Sequence, residues 1–141
     1  MPEGQEKGPV PAPPTPPRRP RALVVDDDAA VRGLLMTFLR QQGLDVTPAP
    51  DGPAGLAAFA AGGFALVLLD LDMPGMDGLQ LAQAIRRQDP AVPIALLSGR
   101  LHTLTPQRLA QAGITRAFAK PFALHELAAW LRALALAPPP P

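Results

Sequence analysis

The chain has 141 residues, a length that fits one domain, and 48% of them are apolar, enough for one core. A formal net charge of +1 gives no basis for a nucleic-acid or acidic-membrane surface, and a cysteine count of 0 excludes disulfides, thiol catalysis and thiolate metal sites. No apolar run approaches the ~20 residues of a membrane span, and the N-terminus lacks the apolar core of a signal peptide. The expectation is a soluble cytoplasmic protein with no membrane insertion and no nucleic acid among its partners.

Eight of the 20 prolines lie in residues 1–20 and four in 138–141. Residues 1–20 read as a disordered, partly polyproline-II tail, 21–136 as the folded domain and 137–141 as a second proline-rich tail. Pro13-Pro14-Thr15-Pro16-Pro17-Arg18-Arg19 could dock on an aromatic groove, but a solvated tail is the simpler reading.

Between the tails, strands and helices alternate. Ala22 to Val25 is a short apolar strand ending at Asp26-Asp27-Asp28. Val31, Leu34, Leu35, Phe38 and Leu39 recur on one face of a helix, and Gly43 stands where it should stop. Leu44 to Thr47 is a weaker second strand, and Pro53 to Ala61 an alanine-rich helix. Phe64 to Leu69 is a third strand, buried on both faces, that runs into Asp70. Pro74, Gly75 and Gly78 then force a loop. Leu79, Leu81, Ala82 and Ile85 mark the third helix, which ends before Asp89-Pro90. Val92 to Leu97 is the fourth strand, ending at Ser98-Gly99. Thr105-Pro106 reads as an N-cap with proline in the first turn, starting a short helix over Pro106 to Gln111. Arg116 to Ala119 is the fifth strand, ending at Lys120-Pro121. Leu124, Leu127, Leu131 and Leu134 give the last helix its buried stripe.

Five βα units imply a parallel sheet with helices on both faces and right-handed crossovers. Asp26, Asp27, Asp70, Ser98 and Lys120 then all sit at the C-terminal ends of strands. In the strand order 2-1-3-4-5, the first and third strands flank the topological switch point, so Asp27 and Asp70 face each other across it. Clustered carboxylates repel, and a hard divalent cation relieves them. Mg²⁺ takes a few protein oxygens and accepts a phosphate oxygen as well. Lys120 adds a fixed positive charge and Ser98 a hydroxyl. An acid cluster, one hydroxyl and one lysine describe a site for a transferring phosphoryl group, with Asp70 as the natural acceptor.

Four stretches together resemble the receiver domain of two-component response regulators. They are Val24-Val25-Asp26-Asp27-Asp28, Leu69-Asp70-Leu71-Asp72-Met73-Pro74-Gly75-Met76-Asp77-Gly78, Pro93 through Ser98-Gly99, and Phe118-Ala119-Lys120-Pro121-Phe122. The resemblance spans roughly Arg21 to Leu136. It implies a flavodoxin-like three-layer α/β sandwich with a parallel five-stranded sheet and five helices. Asp70 matches the phosphoacceptor, Asp27 the direct Mg²⁺ ligand and Asp26 the neighbour that binds metal through water. Asp72 matches the position whose backbone carbonyl completes the metal site. Ser98 matches the hydroxyl residue that follows the phosphoryl group, and Lys120 the lysine that pairs with Asp70. The resemblance further implies a cis Lys120-Pro121 bond and phosphate supplied by a histidine kinase or a histidine phosphotransfer protein. Such a module is no enzyme in the ordinary sense, since it catalyses only its own phosphorylation and dephosphorylation. Asp72 and Arg100 match positions that flank the path of attacking water, so their opposite charges could form a gate.

One position departs from the pattern. Relatives carry Tyr or Phe three residues before the lysine as an aromatic switch, and here that residue is Ala117. Phe118 should point the opposite way, into the core, because strand side chains alternate. The signal is therefore expected in the loop Gly99 to Thr105 instead of in an aromatic flip. Asp28 reads as a solvated helix cap, His125-Glu126 and His102 as surface residues, and Trp130 as the edge of the core. With no room for a DNA-binding output domain, the sequence reads as a stand-alone receiver or a piece of a hybrid histidine kinase.

A rival enzyme class fits part of the sequence. Asp70-Leu71-Asp72 after an apolar strand also resembles the nucleophile motif of haloacid-dehalogenase-type phosphatases, with Asp72 as acid/base. Met73-Pro74 depart from that motif, the later acidic pair it needs has only Asp89 and Glu126 to supply it, and Asp26-Asp27 are left without a role.

Overall fold

The computed structural model describes residues 19–138, so most of both proline-rich tails lies outside the described residues. The elements in chain order are β1 (Arg21–Val25), α1 (Ala29–Gln41), β2 (Asp45–Ala49), α2 (Gly52–Ala60), β3 (Leu66–Asp70), α3 (Gly78–Gln88), β4 (Ile94–Ser98), α4 (Pro106–Gln111), β5 (Arg116–Ala119) and α5 (Leu124–Ala133). The strands form one sheet in the order β2-β1-β3-β4-β5, and every pairing is parallel. This is the predicted flavodoxin-like sandwich.

Period-two alternation divides the core between the two faces of the sheet. Leu23, Val25, Val67, Leu69 and Leu96 pack with Phe59 of α2 and with Leu81 and Ile85 of α3. Val24, Leu66, Leu68, Leu97 and Phe118 pack on the other face with Leu35 and Leu39 of α1 and Leu131 of α5. Phe118 is buried and meets Trp130 edge-on, with ring centroids 5.8 Å apart. Trp130 therefore lies at the core's edge, as its place beside the apolar stripe implied.

Caps set where the helices begin. Asp28 accepts the Ala30 N–H at 2.8 Å, Asp51 the Ala54 N–H at 2.8 Å, and Thr105 the Arg108 N–H at 3.1 Å. Asp77 and Gln80 form a reciprocal capping box at the start of α3, each accepting the other's N–H at 2.9 Å.

Several boundaries differ from the sequence reading, among them β4, which runs from Ile94 to Ser98 and not from Val92 to Leu97. β2 begins at Asp45 and runs on through Pro48 to Ala49, because Leu44 closes the end of α1 by donating to the Leu39 carbonyl at 3.1 Å. A proline is tolerated there because β2 is an edge strand. β3 starts at Leu66, since Phe64 belongs to the entry loop. Its ring stacks on Phe59 at 5.9 Å and lies under the Arg21 guanidinium at 4.3 Å. Between β4 and α4, Leu101–Thr103 fold into a 3-10 turn where the sequence showed only loop.

Candidate functional site

The functional side chains reach one place because parallel strands end together. Val25 pairs with Leu69, Asp70 with Leu97, and Ser98 with Ala119. Asp26, Asp70, Ser98 and Lys120 each stand at or one residue past the carboxyl end of a strand, on four adjacent strands. The hydrogen-bond ladder continues a step beyond: Leu71 N–H donates to Leu97 O at 2.9 Å and Lys120 N–H to Ser98 O at 2.8 Å.

Asp26, Asp70 and Ser98 are the buried polar residues among those described, and Asp27 is exposed at the rim. Asp26, Asp27 and Asp70 each offer a carboxylate oxygen, and these oxygens lie within 4.8 Å of one another. Lys120 reaches in from the end of β5 and donates to Asp70 Oδ1 at 2.8 Å and to Asp26 Oδ2 at 3.2 Å. The Lys120-Pro121 peptide bond is cis. Gly78 makes room for the end of β3, since a Cβ there would fall 2.5 Å from the Asp70 carbonyl oxygen.

Burial raises the Asp70 pKa above the ordinary carboxylate value, and the charges of Asp26 and Asp27 push the same way against the Lys120 hydrogen bond. Burial pulls the Lys120 ammonium down, but the hydrogen bond to Asp70 and the charges of Asp26 and Asp70 outweigh it and leave its pKa raised. One ammonium thus pairs with two members of a cluster of three carboxylates. An oxygen-only donor set at this spacing fits a hard divalent cation such as Mg²⁺.

Ser98 Oγ accepts the Arg100 N–H at 2.8 Å, which leaves its own proton available to a ligand. Asp72, two residues past Asp70, is exposed and takes the Arg100 guanidinium side-on, with Nη2 at 2.5 Å and Nε at 3.2 Å from Oδ1. The hydrogen bond to Arg100 holds the Asp72 carboxyl below its ordinary range. Its carboxylate is engaged at the surface by Arg100, an arrangement that lends no support to Asp72 as the acid/base of a haloacid-dehalogenase-type phosphatase.

Ala117 pairs in register with Leu96 and is half-buried, so β5 presents only a methyl group at the position where the resemblance led us to expect an aromatic ring. Asp28 is engaged as the cap of α1, and His102 sits exposed in the 3-10 turn. Sequence reasoning missed Arg32, whose Nη1 donates to the Asp26 carbonyl at 2.7 Å. No periodicity marks such a bond. The available signal was a cation in the helix that follows an acidic loop.

Among the described residues no helix is long and apolar enough to cross a membrane. Residues 22–132 match the response regulator receiver domain family. The chain is 38% identical over 117 residues to the transcriptional regulatory protein PrrA of Mycobacterium tuberculosis, covering 82% of this chain and 49% of that protein. It is 38% identical over 115 residues to the DNA-binding response regulator MtrA of Mycolicibacterium paratuberculosis, covering 82% of this chain and 51% of that protein. The chain thus spans about half the length of these curated relatives. Among solved structures it is similar to the response regulator TrrA of Thermotoga maritima in complex with Mg²⁺-BeF, with a TM-score of 0.75, 32% identity, and 82% of this chain and 98% of that one covered. The chemotaxis protein CheY4 of Vibrio cholerae superposes with a TM-score of 0.75 at 28% identity, again over 82% of this chain and 98% of that one. With the acid cluster, the lysine and the hydroxyl at the ends of the strands that carry the family's motifs, the chain belongs to the receiver domain family of two-component response regulators.

Proposed function

We propose that Asp70 is the phosphoacceptor and that this chain takes a phosphoryl group from a histidine kinase or a histidine phosphotransfer protein. The observation that carries this is a buried carboxylate at a strand end, 2.8 Å from Lys120, with the oxygens of Asp26 and Asp27 beside it. An Asp70 oxygen forms the new bond to phosphorus, the nitrogen–phosphorus bond of the donor breaks, and its electron pair stays on the donor imidazole. Lys120 holds Asp70 in place beforehand and offers its ammonium to the phosphoryl oxygens afterwards. Ser98 donates its hydroxyl proton to one of those oxygens. Asp26, Asp27, Asp70 and the Asp72 carbonyl are the groups proposed to hold Mg²⁺, which when bound neutralises charge on the phosphoryl oxygens. Hydrolysis of the acyl phosphate resets the site, and the Arg100–Asp72 pair is proposed to restrict water's approach. The proposed partners are the phosphoryl donor and a downstream output protein.

Acetyl phosphate with Mg²⁺ tests the assignment. Wild type should acquire one phosphate, seen as a shifted band on a Phos-tag gel. Asp70→Asn or excess EDTA should abolish it. Undiminished labelling of the Asn variant removes Asp70 as acceptor. Sustained turnover of p-nitrophenyl phosphate would mark a phosphatase instead.

A further inference from the structure

Arg32 fastens the loop that carries two of the three clustered carboxylates. It sits in the first turns of α1 and reaches back six positions to donate Nη1 to the Asp26 carbonyl at 2.7 Å. The loop is tied twice more: Asp28 N–H donates to Asp26 Oδ1 at 2.9 Å, and the Asp28 carboxylate caps Ala30 N–H at 2.8 Å. Lys120 holds Asp26 Oδ2 at 3.2 Å. Asp26 is therefore restrained at its carbonyl and at both carboxylate oxygens, and Asp27 follows it directly in the chain. The guanidinium contributes to this through a backbone oxygen and not through an ion pair with the cluster.

We propose that Arg32 is a positioning residue for the cation site. By pinning the Asp26 carbonyl it fixes the turn from β1 into α1 and so sets where the Asp26 and Asp27 carboxylates point toward Asp70. This rests on the reading of Asp26, Asp27 and Asp70 as the Mg²⁺ site. Outer partners of this kind matter because metal affinity depends on ligand placement, and their loss typically weakens binding roughly 10–100-fold.

Charge and position make opposite predictions. A guanidinium near a cation site repels the cation, so if Arg32 acted through its charge, its removal would tighten Mg²⁺ binding. If it acts by holding the loop, its removal weakens binding although a repelling charge is gone. A merely structural role would lower the melting temperature and leave affinity alone. Arg86 supplies that comparison: its guanidinium holds the Gly113 carbonyl at 2.7 and 2.9 Å, tying α3 to the loop before β5 and away from the acid cluster.

Calorimetric titration with MgCl₂ decides the matter, using the full chain as wild type, Arg32→Met and Arg86→Met. The expected result is roughly 10-fold weaker Mg²⁺ binding by Arg32→Met, with Arg86→Met losing thermal stability but keeping wild-type affinity. Equal or tighter binding by Arg32→Met overturns the inference while leaving the cation site standing. Failure of the wild type to bind Mg²⁺ overturns the reading of the site itself, and the inference with it. Should Arg32→Met not fold, Arg32→Gln carries the same test. Its amide ends short of the Asp26 carbonyl, so weaker binding supports the clamp and equal or tighter binding rejects it.

Discussion

Lys120 Nζ stands between two buried carboxylates, 2.8 Å from Asp70 Oδ1 and 3.2 Å from Asp26 Oδ2, so a single ammonium serves both. With Asp27 the acids outnumber it, and without a cation the ionised Asp70 costs stability. Burial first, then Asp26 and Asp27, raise its pKa from 3.8 in the folded state. Between 3.8 and that raised value the native protein holds more protons than the unfolded chain, so stability falls as pH rises through the window. Asp70→Asn removes this titration. In EDTA at about pH 7 the variant should melt above wild type, and the gap should shrink as pH approaches 3.8. A gap that does not vary with pH in scanning calorimetry rejects the electrostatic cause. Mg²⁺ at about 100 times its dissociation constant should add about 2.7 kcal/mol to wild type.

Arg100→Ala should shorten the life of the phosphorylated state. The guanidinium bridges from the β4–α4 loop to Asp72 on the β3–α3 loop, on either side of the Asp70 strand end. Exposed pairs add little to folding stability, so the melting temperature should barely move while dephosphorylation speeds up on the order of several-fold. Decay of ³²P-labelled protein after transfer to buffer free of phosphodonor measures this directly. Equal half-lives for variant and wild type dispose of the gate.

Phosphorylation should rework the 3-10 turn. Ser98 Oγ accepts the Arg100 N–H, and the Arg100 carbonyl in turn accepts the Thr103 N–H at 2.9 Å and the Thr103 hydroxyl at 2.6 Å. If Ser98 turns to a phosphoryl oxygen, Arg100 loses its acceptor and the turn must settle elsewhere. The expected response is then a rearrangement of this formed turn, within the loop Gly99 to Thr105 where the sequence places the signal. Hydrogen exchange with and without beryllofluoride should change at the Arg100 and Thr103 amides and spread through Gln111. A change restricted to the acid cluster would show that this face carries no signal.

Ala135→Gly should stabilise the domain. The last turn of α5 closes with Ala135 N–H to Arg132 O at 3.0 Å and Leu136 N–H to Leu131 O at 2.8 Å. That pattern needs a left-handed residue at Ala135, whose φ is 60°, and alanine is strained there. Glycine relieves the strain but loses more entropy on folding, for a net gain of roughly 0.5–1 kcal/mol. A higher urea midpoint at unchanged m-value is the expected reading; a lower midpoint contradicts it.

The strands and the gathering of the candidate site residues could be read before any coordinates because buried parallel strands are written as apolar runs, and Asp26, Asp70 and Ser98 sit where such runs stop; the order of the strands came with the family resemblance and not from the runs. The caps at Asp28 and Thr105 were equally legible, since capping needs particular side chains. What escaped was set by reach through space. Phe64 looks like strand until it stacks on Phe59, and Leu44 looks like strand until it closes α1. The Arg32 bond to a backbone carbonyl leaves no imprint on hydrophobic periodicity, and the turn at Leu101–Thr103 is held by Ser98 and Thr103 hydroxyls, whose targets a sequence does not name.

The register of the sheet has a consequence for how this chain tolerates insertions and deletions. Val25 lies opposite Leu69, Asp70 opposite Leu97, and Ser98 opposite Ala119, so the reactive groups occupy one row across four strands. Loops on the far side of the molecule can gain or lose residues without disturbing that row. Loss of a single residue within β3 that left the upstream pairing intact would turn the Asp70 side chain to the opposite face, because the side-chain period is two. Such a chain could keep its composition and much of its apolar burial, yet its carboxylate would be misaligned with Lys120. Length changes confined to strands should therefore be silenced far more completely than longer ones placed in the connections.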